Sequence, residues 1–229
     1  TGEVYNYQAA GTGAAYRSTR GSYGMGIFKS TDGGVSWELS LDWSYDQNRG
    51  IWDIAVDPQN SNIVFAATTH GVYKSVDAGE NWERVLNLVM ANDLVIHPTN
   101  PNLILAGIGN LGSPGKGMFR SEDGGESWQS ITQNIPPTFQ GKIQLSHAPS
   151  NPDIVYASVG NGFTFQDGAT WLLRSTDFGA TWTEVNDLDY SRWQGWFAHD
   201  IGVSIDDPNE LVLVGIEAWR STNGGQTIV

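Results

Sequence analysis

Cysteine is absent from this chain, and side chains with a positive charge are few. Without cysteine the chain can form neither a disulfide scaffold nor a thiolate metal site. Its 229 residues include 12 Lys and Arg against 25 Asp and Glu, which gives a formal net charge of −13. Such an acidic chain is a poor match for nucleic acid or for an anionic membrane. We therefore expect no nucleic-acid partner.

Long apolar runs are missing too, and so are helix signals. The sequence has no stretch of about 18 apolar residues, so we expect no membrane insertion. It also has no basic segment followed by an apolar one, although Thr1 is not an initiator Met and a signal peptide could have been removed. The acidic composition, with 28 Gly and 10 Trp, is typical of a bacterial secreted or cell-surface protein, and we expect that location.

A short motif that occurs five times organises the chain. Its pattern is Ser-x-Asp-x-Gly-x-Ser/Thr/Asn-Trp, and the last copy is degenerate. The copies lie at residues 30–37, 75–82, 121–128, 175–182 and 221–227. They recur roughly every 46 residues with one longer step, a period typical of propeller blades.

The chemistry of the motif predicts a hairpin turn followed by a strand. Asp folds its carboxylate back onto nearby backbone N–H groups, and Gly supplies a positive φ. Trp then carries a large apolar area into the space between two sheets. We assign this structural role to Asp32, Trp37, Asp77, Trp82, Asp123, Trp128, Asp177 and Trp182.

The motif resembles the Asp-box, or BNR repeat, of sialidase-like and sortilin-like β-propellers. The turn Asp-Pro-x-Asn-x-Asn at 57–62 and the strands of pattern Gly-x-Phe/Tyr-Lys/Arg-Ser are also similar to the xyloglucanases of glycoside hydrolase family 74. The resemblance implies an all-β propeller of four-stranded antiparallel blades. It says little about function, because Asp-boxes lie on the outer rim of such propellers.

We expect one propeller segment over 1–229 with about five blades. Their predicted bounds are 1–41 for a partial first blade, 50–87, 91–133 and 141–186 for three complete blades, and 198–229 for a partial fifth. A larger propeller of seven or more blades, completed by the remainder of the parent chain, is the favoured interpretation. A closed five-blade ring is the alternative.

Two loops that lead into inner strands carry an unusual set of side chains. Residues 42–53 and 189–200 share the order Asp, aromatic, Ser, Arg, Gly, aromatic, Asp. Aromatic rings beside Arg and Asp can bind a polysaccharide or a protein ligand. The candidate ligand-binding residues are Arg49, Trp52, Tyr190, Arg192, Trp193, Trp196 and His199. Alternatively, the rings pack the loops onto each other.

Acidic residues recur where inner strands begin. Asp53, Asp93 and Asp200 share this position and should surround the central channel. Converging carboxylates can bind Ca²⁺ or act as general acid and base. They can also cap strand starts, which we favour, so we assign no metal site and no cofactor.

The candidates for catalysis come partly from the family resemblance. Sialidases use an arginine triad and a Phe/Tyr-Arg-Ile-Pro motif, which this sequence lacks. In the similar xyloglucanases an acidic residue after the second strand of the first blade is catalytic, and Glu3 lies roughly there. The catalytic candidates are therefore Glu3, Asp53 and Asp200. Three hypotheses remain: a non-catalytic binding module, a glycoside hydrolase fragment, or a purely structural propeller segment.

Overall fold

The computed structural model describes residues 24–46, 49–110, 113–137, 139–161 and 170–229. These residues form antiparallel sheets, and their only helical element is a single 3-10 turn, Arg192–Gln194. No helix in these ranges is long and apolar enough to span a membrane. The predicted all-β fold of antiparallel blades is confirmed.

Three sheets have four strands, ordered from the inside of the molecule to its rim. Blade two contains β3 (Ile51–Val56), β4 (Val64–Thr68), β5 (Gly71–Ser75) and β6 (Glu83–Leu86). Blade three contains β7 (Ala91–Ile96), β8 (Ile104–Ile108), β9 (Gly117–Ser121) and β10 (Gln129–Ile131). Blade four contains β11 (Ile143–Ala148), β12 (Asn151–Gly160), β13 (Thr170–Ser175) and β14 (Thr183–Asn186).

The first and last sheets have fewer strands among the described residues. Blade one contributes β1 (Gly26–Lys29) and β2 (Glu38–Asp42). Blade five contributes β15 (Asp200–Val203), β16 (Leu211–Val214) and β17 (Ala218–Ser221). Val229 adds the start of a fourth strand, because it exchanges two backbone hydrogen bonds with Arg220 at 2.8 and 2.9 Å.

Each apolar core lies between two consecutive sheets. Phe65 and Ala67 of blade two, for example, pack with Leu94 and Ile104 of blade three in one buried cluster. Similar clusters join the other neighbouring pairs of blades. Continuous apolar strands such as β8, which is buried throughout, follow from this packing on both faces. The sheets therefore stack as propeller blades do, with side chains filling each gap.

The Asp-box turns have one shared hydrogen-bond pattern. In the first copy, the Asp32 carboxylate accepts bonds from the Ser36 amide at 2.9 Å and the Ser36 hydroxyl at 2.6 Å. Ser30 Oγ donates to the same carboxylate and accepts from the Gly34 amide. These hydrogen bonds lower the pKa of Asp32, Asp77 and Asp123 to about 2.

Each later Asp-box also contacts the blade before it. A Cβ on Gly125 would lie 2.7 Å from the Phe65 ring, and one on Gly179 would lie 2.5 Å from Leu105. The Asp-box Trp packs in the same space between two blades, and Trp182, between blades three and four, is only 1% exposed. Trp37 belongs to the first described blade and is 61% exposed. Burial of this Trp therefore depends on the preceding blade and not on the turn alone.

A histidine replaces aspartate in one of the inner turns. Asp57 Oδ1 accepts the amides of Gln59 and Asn60, whereas His97 Nδ1 accepts those of Thr99 and Asn100 at 3.2 and 3.1 Å. The imidazole nitrogen thus takes the place of a carboxylate oxygen. This geometry explains why a histidine fits a position that carries Asp in other blades.

Candidate binding face

The loops that enter the inner strands lie at one end of the sheets, opposite the Asp-box turns. We call the surface formed by residues 43–46, 49–50, 70, 189–199 and 216–217 the loop face. The inner strands β3, β7, β11 and β15 lie side by side beneath it. Both loops singled out in the sequence therefore border the same channel entrance.

The loop before β3 positions an arginine against two aromatic rings. Arg49 Nε donates to Asp46 Oδ2 at 2.8 Å. Its guanidinium carbon lies 5.2 Å from the ring centre of Trp43 and 5.9 Å from that of Tyr45. Trp43 is buried and anchors the loop, whereas Tyr45 is 73% exposed. The loop thus offers an exposed ring beside a fixed cation, an arrangement suited to sugar or peptide ligands.

The loop at 189–199, which we call the crossing loop, is attached to blade four by buried hydrogen bonds. Ser158 of β12 bonds to the Tyr190 hydroxyl at 2.5 Å and to His199 Nδ1 at 2.6 Å. His199 Nε2 faces the Gly195 carbonyl oxygen at 3.0 Å. Burial, together with the charge of Lys142, holds the pKa of His199 well below its usual value. A neutral imidazole can then accept at Nδ1 and donate at Nε2.

The crossing loop runs close over the end of blade four and reaches blade three. A Cβ at Gly160 would lie 1.9 Å from the Gly195 carbonyl oxygen, so only glycine fits there. Asn110 of blade three donates from Nδ2 to the Trp196 carbonyl oxygen at 2.8 Å. The loop therefore ties three consecutive blades together, and Arg192 within it adopts a left-handed φ of 48°.

The structure divides six of the seven predicted ligand-binding residues into a buried group and an accessible group, and the Trp193 side chain is not among the described ones. Tyr190, Trp196 and His199 are 1%, 5% and 3% exposed, and they attach the loop to the blades. A buried ring cannot stack on a ligand, which is a reason to leave these three out of a binding surface. For them the alternative interpretation, loop packing, agrees better with the geometry.

The accessible candidates are Arg49, Trp52 and Arg192. Arg192 is half-exposed and lies 3.5 Å from Glu217. Trp52 is half-buried, and its indole N–H has no hydrogen-bond partner among the residues that the structure describes. The side chain of Trp193 lies outside the described part of the structure. Glu3, the candidate from the family resemblance, also lies outside the described residues.

The sequence analysis did not select two residues that the geometry brings forward. Tyr45 is the exposed ring of the first loop. Its position four residues before Arg49, within the loop at 42–53, was the sequence feature that could have identified it. Phe197 is 44% exposed and packs against Trp196 with ring centres 5.3 Å apart. Ser158 was missed as well, although a hydroxyl within the apolar run of β12 was a visible anomaly.

The inner carboxylates link neighbouring blades. Asp53 Oδ2 accepts the Leu94 amide of blade three at 3.2 Å, and Asp93 Oδ2 accepts the Leu145 amide of blade four at 2.6 Å. Burial raises the pKa of Asp53 above its usual value. Burial and the negative charge of Asp53 raise the pKa of Asp93 well above its usual value. Asp200 is exposed, and it accepts the Ile201 amide at 2.8 Å.

These contacts agree with the strand-capping interpretation of the acidic residues. Within the described ranges no group of three His, Asp or Glu side chains could hold a metal ion. Asp53 and Asp93 each accept a backbone amide of the next blade, so both carboxyls have a structural role that needs no ligand.

The repeated Asp-box turns, stacked four-stranded sheets and shared channel define an Asp-box β-propeller. A family profile matches residues 70–221, more than half of the chain. Its description reads Sortilin-Vps10, "Sortilin, neurotensin receptor 3". The chain belongs to this family, and the predicted sortilin-like resemblance is confirmed.

Three similar proteins extend the comparison. A xyloglucanase of Hypocrea jecorina is 23% identical over 239 aligned positions, covering 88% of this chain and 28% of its own. The crystal structure of an ancestral GH74 enzyme has a TM-score of 0.66 at 22% identity, covering 91% of this chain and 28% of its own. YCF48 bound to D1 peptide has a TM-score of 0.53 at 19% identity, covering 88% and 59%.

At these identities the solved structures show a common fold. The chain spans a little over a quarter of the length of the xyloglucanase that it matches. The activity and ligands of those longer proteins therefore belong to them, and for this chain they are a source of hypotheses.

Proposed function

We propose that the chain is a non-catalytic ligand-binding module that binds glycan or protein through the loop face. One observation carries this proposal: Tyr45 exposes most of its ring beside Arg49, which Asp46 and Trp43 hold in place. Because Asp46 and Trp43 already hold Arg49 in place, this side chain loses little conformational freedom when it binds a ligand. Arg192 and Phe197 extend the proposed surface on the far side of the channel.

Similar proteins support both kinds of ligand. The Hypocrea jecorina protein is named for xyloglucan, a polysaccharide, and one solved structure is of YCF48 bound to D1 peptide. Both are propeller proteins of the same general fold as this chain. We therefore propose a polysaccharide or a protein as the partner, with xyloglucan as the first compound to test.

Exposed apolar side chains on the two end sheets support a larger parent propeller. Trp37 of blade one is 61% exposed, and Val212 and Val214 of blade five are 51% and 40% exposed. The equivalent faces of inner blades are buried in the shared cores. We propose that the remainder of the parent chain covers them, giving seven or more blades. The blade bounds given above and a secreted or cell-surface bacterial location are part of this proposal.

Calorimetric titration with xyloglucan oligosaccharides tests the binding function. Tyr45→Ala should weaken binding by about tenfold, because it removes an exposed stacking ring. Val76→Ala is the matched control, since Val76 is 65% exposed but lies in an Asp-box turn on the opposite end. Equal affinities of Tyr45→Ala and the unaltered chain would contradict the proposed surface.

A glycoside hydrolase fragment is the second candidate, favoured by the similarity to xyloglucanases. Reducing-sugar release from xyloglucan measures this activity. Hydrolysis that Glu3→Gln, Asp53→Asn or Asp200→Asn abolishes, with unchanged circular dichroism, would establish it. Binding without hydrolysis would support the module. Absence of both would favour a structural segment whose function lies elsewhere in the parent chain.

A further inference from the structure

Blade two concentrates nitrogen-bearing side chains that the repeat does not require. Arg84 lies two residues after the Asp-box Trp, where other blades carry Leu39, Ser130 and Glu184. Arg49 precedes the inner strand of the same blade, and His70 lies in the turn between β4 and β5. Repeat architecture therefore does not explain this cluster.

Arg84 reaches the loop face by crossing a glycine. It extends from β6 opposite Tyr73, and its Cδ would lie 3.3 Å from a Cβ added at Gly71. Its Nη1 then donates to the His70 carbonyl oxygen at 3.5 Å. Gly71 has a φ of +124°, and a Cβ there would lie 2.1 Å from the Leu86 carbonyl oxygen, so this turn requires glycine.

Arg49 approaches the same turn from the other side. Trp43, over which Arg49 lies, has its ring centre 6.5 Å from His70 and 5.3 Å from Tyr73, edge-on in both cases. A continuous path of contacts thus joins Arg49, through Trp43 and Tyr73, to Arg84. The two guanidinium groups border one small region of the surface around His70.

The charges in this region favour an anion. Burial lowers the pKa of His70, and the charges of Arg49 and Arg84 lower it further, while Asp46 opposes them. Two guanidinium groups therefore face one carboxylate, on a chain whose net charge is −13. His70 Nδ1 bonds to Thr69 Oγ1 at 2.9 Å, which fixes the ring orientation.

We propose that Arg49, His70 and Arg84 bind a carboxylate group of an acidic polysaccharide, with Tyr45 stacking on the sugar ring. Forked guanidinium donors match the planar geometry of a carboxylate. The exposed Tyr45 ring, 5.9 Å from the guanidinium carbon of Arg49, favours a sugar over an isolated anion. This inference rests on the proposed binding function and specifies its ligand as a uronate.

The test uses pairs of ligands that differ only in whether the carboxylate is free, together with a neutral oligosaccharide. We would titrate the chain with oligogalacturonate, with its methyl ester and with neutral xyloglucan oligosaccharides. A peptide with a free terminal carboxylate and its amide form the second pair. We expect the free oligogalacturonate to bind at least about tenfold more tightly than its ester.

Charge-removing variants locate the site. Arg84→Gln and Arg49→Gln should each weaken oligogalacturonate binding by about tenfold or more, because a charge-assisted hydrogen bond is lost. Arg220→Gln is the matched control, since Arg220 is an exposed arginine of blade five paired with Glu210, outside the site. Circular dichroism of each variant checks that the fold is retained.

The pH dependence offers a second measurement. Affinity should rise as pH falls from 7 through the lowered pKa of His70, because the protonated ring adds a third positive charge. Arg49, Arg84 and Asp46 are the charged groups that act on this ring. His70→Asn should weaken binding at pH 7, because a donor to the carboxylate is lost, and its affinity should then not rise as pH falls.

Each outcome bears on the inference in a distinct way. Equal affinity for the free acid and its ester would overturn the uronate assignment and leave glycan binding standing. Preference for the peptide carboxylate alone would overturn the polysaccharide and support a protein ligand. If no probe binds, both the inference and the proposed function are overturned.

Discussion

Removing the Asp-box Trp of blade four should destabilise the chain far more than removing that of blade one. Trp182 and Trp37 occupy the same motif position and make the same bond from Nε1 to a glycine carbonyl oxygen, at 3.0 and 3.1 Å. They differ in burial, at 1% and 61% exposed. The pair therefore separates packing between blades from the hairpin itself.

The magnitude follows from the area that each ring buries. A fully buried Trp removes about 200 Å² from water, which stabilises by about 5 kcal/mol at about 25 cal/mol per Å². Trp182→Ala should therefore lower the free energy of unfolding by about 3–5 kcal/mol. Trp37 buries two fifths of its surface, so Trp37→Ala should cost about 2 kcal/mol or less.

Urea denaturation of the 229-residue chain followed by circular dichroism measures both losses. This signal does not depend on the tryptophan that each variant removes. Equal losses in the two variants would refute the reasoning, because the common hairpin, and not the preceding blade, would then account for the stability. A larger loss for Trp37→Ala would refute it more strongly.

Three further predictions concern other contacts. Asp93→Asn should raise the free energy of unfolding at pH 8. The pKa of Asp93 is raised in the folded chain, so the unaltered chain loses stability as pH rises above 3.8, whereas the neutral Asn side chain does not ionise. The gain in unfolding free energy should therefore be smaller in urea titrations near pH 4. His97→Ala should cost about 1–2 kcal/mol in the same assay by leaving two amides without an acceptor, whereas His97→Asn should retain most of the stability. Gly160→Ala should cost about 2 kcal/mol or more because its Cβ meets the Gly195 carbonyl oxygen, whereas Gly202→Ala, with open space around it, should be nearly neutral in thermal unfolding.

Local chemistry explains how much of the fold could be predicted. The motif predicts a turn followed by a strand, and β2, β6, β10 and β14 each begin one residue after the motif Trp. Asp-box turns are short-range structures fixed by Ser, Asp and Gly within a few residues. Their positions therefore follow from the sequence alone, and so does the strand that begins after each turn.

The candidate site was harder to predict because exposure depends on contacts between distant residues. Tyr190, Trp196 and Tyr45 look alike as aromatic loop residues. The hydrogen bonds of Tyr190 to Ser158 on β12 and of the Trp196 carbonyl to Asn110 after β8 show that their loop is held against the blades. Similarly, Arg84 is a strand residue of β6, and only its contact with the His70 carbonyl oxygen places it beside the loop face. Pattern and composition do not contain that information.

Each later Asp-box packs against the blade that precedes it in the sequence, so the contacts between blades have an order along the chain. Gly79 lies against Ser40, and Trp82 donates to that serine at 3.0 Å, so blade two needs blade one in place. The contacts of Gly125 and Gly179 repeat this order along the chain. During synthesis, the blade against which each Asp-box packs therefore leaves the ribosome before that Asp-box does. Each blade supplies the packing surface for the Asp-box of the next blade. Removing blades from the carboxyl end should therefore destabilise the remaining blades less than removing them from the amino end.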